Sequence, residues 1–211
     1  MMNMFGLRAE LLPPGQKFEK RRVAYQVRFR NSFGKLEAVD PLIGEEHDEL
    51  DKKSPTIAVF AVIDGQEQMV ACARILLYEN GPITIDPKLV NQGEPHGEVS
   101  RFTIEKSVGD RLLRQQIRFL LCSALAEYAF GELGYQTLYC DARLYFHHIL
   151  HGCMGDSLET LGTKHVVVKN GLPVPMVPCC IRRASVPAIR ARLIRMLSNQ
   201  QQESPGLALA A

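Results

Sequence analysis

Several features that commonly identify a protein class are absent from this chain of 211 residues. No apolar run reaches the ~20 residues that a helix needs to cross a bilayer, so we expect no membrane insertion. The net charge of +2 is too small to favour nucleic acid as a partner. The amino-terminal segment lacks the long apolar centre of a secretory signal peptide, so we expect a cytoplasmic protein.

The sequence also lacks the patterns typical of metal sites and of disulfide frameworks. The six cysteines include no Cys-x-x-Cys pair, the usual spacing of a zinc site or a dithiol redox motif. Most lie in apolar surroundings, as buried free thiols do, and a disulfide framework is not expected in a chain this long. His147 and His151 lie one helical turn apart, but no Glu follows in the zinc-protease pattern. We therefore predict no metal site.

The hydrophobic pattern predicts one domain over residues 1–197 and a disordered tail over 198–211. Residues 1–14 are predicted to be irregular, and 32–55 to form a long loop. The predicted helices are 16–31, about 110–133, about 142–150 and 186–197. The predicted strands are 56–63, 68–77, 83–85, 98–105, 135–140, 157–161, 165–169 and 174–179. This order predicts an α/β (α+β) sandwich with a central mixed, mostly antiparallel sheet flanked by helices.

The most informative segment is Gly97-Glu98-Val99-Ser100-Arg101-Phe102. Side chains alternate along a strand, so Glu98, Ser100 and Phe102 should share one face and Arg101 should lie on the other, unless the strand bulges. Upstream are the pair Asp48 and Asp51 and the strand residue Arg74. Two acids and two arginines around a β-rich centre predict a polar pocket for a charged substrate.

These residues, in this order and at this spacing, resemble the LuxI-type acyl-homoserine lactone synthases. The resemblance covers Asp48-x-x-Asp51, Cys-Ala-Arg74-Ile-Leu, Gly81-Pro82 and Glu98-Val-Ser-Arg101-Phe. It implies the GNAT-like acyltransferase fold and an amine acylation. In the family, the amine of S-adenosylmethionine attacks an acyl group carried on acyl carrier protein. The product then closes to a lactone and methylthioadenosine is released, so S-adenosylmethionine is a substrate and no cofactor is expected.

The resemblance also implies roles for particular residues. We expect the catalytic residues to be Glu98, Ser100 and Arg101. Glu98 could accept a proton through water, and the arginines could pair with a substrate carboxylate. The expected substrate-binding residues are Asp48, Asp51, Arg74, Phe29, Phe33 and Phe102. Charged pairs around a sheet can also serve only to hold loops to strands, and that alternative stays open.

The chain departs from the family at its amino-terminal end. The family places an arginine, then an aromatic residue, then a tryptophan in its first helix and the following loop. If Phe29 is the aromatic residue, those places hold Tyr25 and Lys35, and the chain has no tryptophan. Arg22, Arg28 or Phe33 could stand in for the missing residues. Two alternatives follow: an N-acyl amino acid synthase that acylates a free amino acid, or a non-catalytic module that binds an acyl group or its carrier.

The basic residues of the first helix have two interpretations. They could form a solvated helix face, or they could attract a strongly acidic partner such as acyl carrier protein. The residues concerned are Lys17, Lys20, Arg21, Arg22, Arg28 and Arg30.

Overall fold

A computed structural model describes residues 2–4, 6–14, 19–31, 39–40, 44–80, 85–169 and 172–203. Within these ranges the α-helices are α1 (Glu19–Asn31), α2 (Arg111–Ala126), α3 (Leu144–Met154) and α4 (Val186–Glu203). The strands are β1 (Met2–Met4), β2 (Leu7–Leu12), β3 (Val39–Asp40), β4 (Glu45–Glu46), β5 (Thr56–Ile63), β6 (Gln66–Leu77), β7 (His96–Ile104), β8 (Thr137–Arg143), β9 (Glu159–Thr160), β10 (His165–Lys169) and β11 (Leu172–Arg182). A π-helical segment, Glu127–Glu132, continues α2.

The main sheet has the strand order β1-β2-β5-β6-β7-β8-β11-β10, and β9 pairs with β11. All its neighbouring strands are antiparallel except β7 and β8, which run parallel. The predicted mixed, mostly antiparallel sheet is therefore confirmed. The hairpin between β5 and β6 turns at Asp64 and Gly65, whose φ angles of 51° and 76° suit the right-handed twist of the strands.

Helices cover both faces of this sheet. On one face, α1 packs through Ala24 and Val27 against Ala58 and Cys72. On the other, α2 packs through Ile117, Leu120 and Leu121 against a larger apolar cluster. We call these the α1 face and the α2 face. Helices α3 and α4 extend the second layer over β8 and β11. Strands β5 and β6 are buried on both faces, which explains their nearly continuous apolar sequence.

The sheet opens between its two parallel strands. The pairing of β7 with β8 consists of His96 with Thr137, Gly97 with Leu138 and Glu98 with Tyr139. Beyond this last pair, each strand continues for several residues without the other as its partner. Gly97 is required at this junction because a Cβ atom there would lie 2.6 Å from the Tyr135 ring. We call the opening beyond Glu98 and Tyr139 the β7–β8 seam.

A β-bulge in β7 changes which face its side chains take. Arg74 is paired with Ser100 and Cys72 with Thr103, so one extra residue lies on β7 between these two pairs. Arg101 has a φ of 54°, the left-handed conformation that lets a bulged strand accommodate the extra residue. The bulge brings Arg101 to the α1 face and turns Phe102 to the α2 face.

The ends of the chain differ from the prediction. Residues 1–14, predicted to be irregular, include β1 and β2, because Leu7 and Ala9 are buried in alternation with polar neighbours against β5. Helix α4 continues to Glu203, so residues 198–203 of the predicted tail are helical. The remainder of that tail, 204–211, lies outside the described residues, as do 83–84 of the predicted strand 83–85.

Candidate active site

The centre of the site is a short 3-10 turn, Glu49–Lys52, that precedes β5. Its first amides are satisfied by its own acids. Asp48 accepts a hydrogen bond from the Leu50 amide at 3.0 Å, and Asp51 accepts one from the Asp48 amide at 3.0 Å. This reciprocal capping box fixes both carboxylates next to the α1 face of the sheet.

Arg74 on β6 connects this turn to β7. Its guanidinium donates to Asp48 and lies 3.2 Å from Asp51 Oδ2. Its Nε donates to Ser100 Oγ at 3.0 Å. Arg74 is 2% exposed, so its charge is held inside the protein and neutralised by two acids. Four of the predicted residues thus form one connected group.

Arg101 joins the group because of the bulge. Its Nη2 donates to Asp48 Oδ2 at 3.1 Å, and its Nη1 lies 3.0 Å from Glu46 Oε1 on β4. Its side chain is 20% exposed, more than that of the other arginine in the group. A buried acid behind it and partial access to solvent leave Arg101 able to contact a bound anion such as a carboxylate.

The charges of the group also set the ionisation of Asp48. Burial favours its neutral form, but hydrogen bonds and charge from Arg74 and Arg101 outweigh burial. They hold the pKa of Asp48 below its ordinary value of 3.8. Asp48 is therefore ionised at neutral pH and can balance a cation or hold the two arginines in place.

Arg28, which the sequence offered only as one possible replacement for the residues missing from the family pattern, is a site residue. Its Nη1 donates to Asp51 Oδ1 at 2.7 Å, and its Nη2 donates to Thr56 Oγ1 at 3.2 Å. Both Arg28 and Asp51 are almost fully buried. Glu46, which contacts Arg101, is a member that the sequence did not assign. We call Arg28, Glu46, Asp48, Asp51, Arg74, Ser100 and Arg101 the charge network.

Glu98 lies on the same face but makes different contacts. Its side chain is buried, and its Oε2 accepts a hydrogen bond from the Ile85 amide at 3.3 Å. It sits at the last paired position of β7, beside Tyr139 of β8. Tyr139 in turn accepts a hydrogen bond from the Asn91 amide at 2.9 Å. Glu98 is thus fixed at the beginning of the β7–β8 seam.

A cavity of about 610 Å³ lies on the α2 face of the sheet, opposite the charge network. Its walls come from β7, β8 and β11 and from α2, α3 and α4, and they are mostly apolar. The wall residues nearest the seam include Val99, Leu138 and Tyr139, and those farther in include Leu125, Phe146 and Leu150. A volume of this size and character is typical of a site for a small organic ligand. We call it the apolar cavity.

Several wall residues are cysteines, and their chemistry fits an apolar wall. Burial raises the pKa of Cys122 to about 12 and that of Cys180 to about 12. Cys140 faces Cys179 across the strands, and that contact together with burial keeps the pKa of Cys140 well above its ordinary value. All the cysteines of the chain are free thiols. Cys122, Cys140 and Cys180 therefore remain protonated at neutral pH and are poor nucleophiles.

The three predicted phenylalanines do not share one position. Phe102 turns away from the charge network, because the bulge puts it on the α2 face, where it stacks on Phe146 at 4.7 Å between ring centroids. The prediction that it shares a face with Glu98 is wrong, and it lines the apolar cavity instead. Phe29 lies on α1 with its ring near Gly44. Phe33 lies outside the described residues.

The basic stretch of α1 is mostly engaged within the protein. Arg21 donates to the carbonyl oxygens of Asp51 and Ser54, and Arg28 belongs to the charge network. The exposed members pair with nearby acids: Lys20 with Glu10, Arg22 with Glu45 and Arg30 with Glu105. The prediction of a solvated basic face is therefore wrong for the two buried arginines.

Two other sequence predictions concern metals and membranes. Over the described ranges, no group of three or more His, Cys, Asp or Glu side chains could hold a metal ion, and His147 stacks on His151 at 6.3 Å. That the protein uses no metal stays a prediction. No helix in the described part of the chain combines the length and apolarity that crossing a membrane demands.

Similarity to known protein structures identifies the fold of this chain. No protein-family model and no curated protein sequence matches the chain. Among solved structures, the CoA-dependent acyl-homoserine lactone synthase BjaI with MTA has a TM-score of 0.62 at 18% identity, covering 89% of this chain and 90% of that chain.

Two further structures are similar over most of the chain. FeeM, an N-acyl amino acid synthase from uncultured soil microbes, has a TM-score of 0.60 at 14% identity and covers 88% of this chain and 94% of that chain. A GCN5-related N-acetyltransferase from Brucella melitensis has a TM-score of 0.55 at 17% identity, with coverages of 92% and 84%. The chain therefore has the GNAT-like acyltransferase fold, as predicted.

Proposed function

We propose that the protein is an acyl-homoserine lactone synthase, which acylates the amine of S-adenosylmethionine with an acyl thioester and then forms the lactone. One observation carries the proposal. A buried charge network and a mostly apolar cavity lie on opposite faces of the sheet, and both reach the β7–β8 seam. An enzyme that joins a charged amine to a fatty acyl group needs a polar site and an apolar site that meet where the two groups react.

The charge network supplies the amine side. S-adenosylmethionine carries a carboxylate, an amine and a sulfonium. Arg101 is the partly exposed cation that can bind the carboxylate, and Arg74 keeps Asp48 in position beside it. Glu98, buried at the seam, is our candidate to take the proton from the amine through water. Solved structures of BjaI contain MTA in one case and SAM with isopentyl-CoA in another, which supports this choice of amine.

The apolar cavity supplies the acyl side. Its mostly apolar walls suit a fatty chain, which would lie among Leu125, Phe146 and Leu150 while its carbonyl group stays at the seam. The amine nitrogen attacks that carbonyl carbon, the carbon–sulfur bond of the thioester breaks, and the thiol leaves with the proton that the amine loses. In the second step the carboxylate oxygen attacks the γ-carbon of the methionine part, the bond from that carbon to the sulfonium breaks, and neutral methylthioadenosine leaves.

We propose acyl carrier protein as the acyl donor, as the family resemblance implies. We propose the cytoplasm as the location, which suits the free thiols of the cysteines. The basic residues of α1 offer little support for the donor, because the described ones are mostly bonded within the chain. Arg111, exposed at the start of α2, remains available for an acidic partner. CoA thioesters are the competing donors.

A second candidate function is N-acyl amino acid synthesis. Two observations favour it: the fold similarity to FeeM, and the absence of the tryptophan that the lactone synthases carry. In this case a free amino acid would present its carboxylate to Arg101 and its amine to Glu98. The same acyl cavity would serve both reactions, so the two functions differ only in the acceptor.

The test is a product assay. The purified protein would be incubated with matched acyl carrier protein and CoA thioesters, with and without S-adenosylmethionine, and the products identified by mass spectrometry. We expect an acyl-homoserine lactone together with methylthioadenosine. An acylated amino acid, formed only when free amino acids are added, would establish the second candidate instead. No acylated product with any acceptor would overturn both.

A further inference from the structure

The apolar cavity has a second end, away from the seam. There its wall includes Glu127 and Gly131 from the π-helical end of α2, and Arg183 and Arg190 from the start of α4 and the turn before it. All four residues are exposed to solvent. A cavity wall made of exposed residues is an opening, so the cavity reaches solvent at this end. We call these four residues the distal rim.

The arginines of the rim lie on the cavity side of their helix. Helix α4 contributes Val186, Pro187, Ile189, Arg190 and Leu193 to the cavity wall. Val186, Ile189, Arg190 and Leu193 follow one another at helical intervals. This i, i+3, i+4, i+7 spacing is the inward stripe of an amphipathic helix, in which an arginine interrupts an otherwise apolar series. Arg183 lies in the 3-10 turn just before α4 and lines the same cavity.

These arginines are not committed elsewhere in the described structure. Within the residues that the structure describes, neither Arg183 nor Arg190 has a side-chain carboxylate within ion-pair distance, whereas the neighbouring Arg182 pairs with Glu159 at 2.9 Å. Glu127 on the same rim offsets one of the two positive charges. The distal rim therefore keeps a net positive charge where the end of a long chain would emerge.

We propose that the acyl substrates of this protein include chains with an anionic terminal group, above all a carboxylate at the end remote from the thioester. The apolar wall would hold the methylene groups, and Arg183 and Arg190 would bind the terminal carboxylate at the distal rim. This inference rests on the proposed function for the identity of its acyl donor, and it adds the class of acyl group.

The test uses pairs of straight-chain acyl-CoA thioesters of equal length, one ending in a methyl group and the other in a carboxylate. Calorimetry without an amine acceptor gives the ratio of their dissociation constants over a series of lengths. We expect the carboxylate form to bind better once the chain is long enough to reach the rim. Arg190→Gln should then reduce this preference about two- to fivefold, as for one partly exposed ion pair. Combined replacement of Arg183 and Arg190 by Gln should remove it.

Arg195→Gln is the matched control, because Arg195 is an exposed arginine of the same helix that does not line the cavity. It should leave the preference unchanged. Equal or weaker binding of the carboxylate form at every length would overturn the inference, as would an equal effect of Arg195→Gln. The binding assay needs no turnover. A binding preference here, together with no acylated product in the product assay, would therefore refute the proposed function and leave the rim assignment standing.

Discussion

The charge network and the apolar cavity lie on either side of one strand, yet they are built on opposite physical principles. In the charge network, Arg28, Asp51 and Arg74 are almost fully buried, and each charge depends on its partner. In the apolar cavity, no single contact dominates and the walls gain stability from area removed from water. The buried part of the charge network should therefore tolerate almost no change without loss of stability, whereas the cavity wall can be altered gradually.

The largest expected effect is a loss of protein stability when the buried part of the charge network is broken. Asp51→Ala leaves buried Arg28 without its carboxylate, so the free energy of unfolding should fall by about 3–5 kcal/mol. The measurement is urea denaturation followed by circular dichroism. Glu49→Ala in the same turn is the control, because its pair with Lys52 is exposed and should contribute at most about 1 kcal/mol. Similar losses for both variants would mean that the network is not the rigid region we describe.

The next effect is on catalysis. Arg101→Ala should lower kcat/KM at least about a hundredfold, as for the loss of a charged group that binds the reacting substrate. The thermal midpoint should shift only modestly, because Arg101 is partly exposed. Steady-state kinetics and thermal denaturation on the same preparation test this. A fall in activity that only follows the loss of folded protein would assign Arg101 a purely structural role.

A smaller effect concerns acid stability. The pKa of Asp48 is lower in the folded protein than its ordinary value of 3.8, so its ionised form stabilises the fold above that pH. This contribution is lost as the pH falls through the folded-state pKa, because the unfolded state then binds more protons. Unfolding measured from neutral pH down through 3.8 should therefore show a steeper acid loss in the wild type than in Asp48→Asn. Identical acid profiles would contradict the assignment.

The smallest expected effect is a change in the preferred acyl-chain length when the apolar cavity is altered. Gly131 lines its distal end, and a Cβ atom added there meets nothing within 4 Å. Gly131→Leu should therefore fold normally but shift the preferred acyl chain to a shorter length, measured by competition between thioesters. Gly152→Leu is the control, since Gly152 also has open space but does not line the cavity. An unchanged length preference in Gly131→Leu would mean that acyl chains do not reach this end.

Much of the fold could be predicted because its signals are local. Thr56–Ile63 and His165–Lys169 have the bounds that their β-branched runs predict. The family resemblance implied a charged cluster that includes Asp48, Asp51, Arg74 and Arg101, and the structure brings these four residues together. Their catalytic and binding roles stay predictions.

What could not be predicted depends on contacts between distant segments. Nothing in the sequence of α1 distinguishes buried Arg28 from exposed Arg30, because their difference comes from Asp51 on another segment. The bulge at Arg101 depends on how β7 pairs with β6, and it is invisible to simple alternation. The apolar cavity depends on where two parallel strands separate, which no single segment encodes.

The bulge at Arg101 reverses the alternation of side chains along β7. Before it, even-numbered side chains face the charge network, and after it the parity is reversed, so that Arg101 meets Asp48 while Phe102 meets Phe146. The chemistry of both faces is thus set by a count of residues as much as by their identity. If one residue between Ser100 and Thr103 were removed, every later side chain of β7 would move to the opposite face of the sheet. The two faces would then exchange the surfaces that this part of the strand presents.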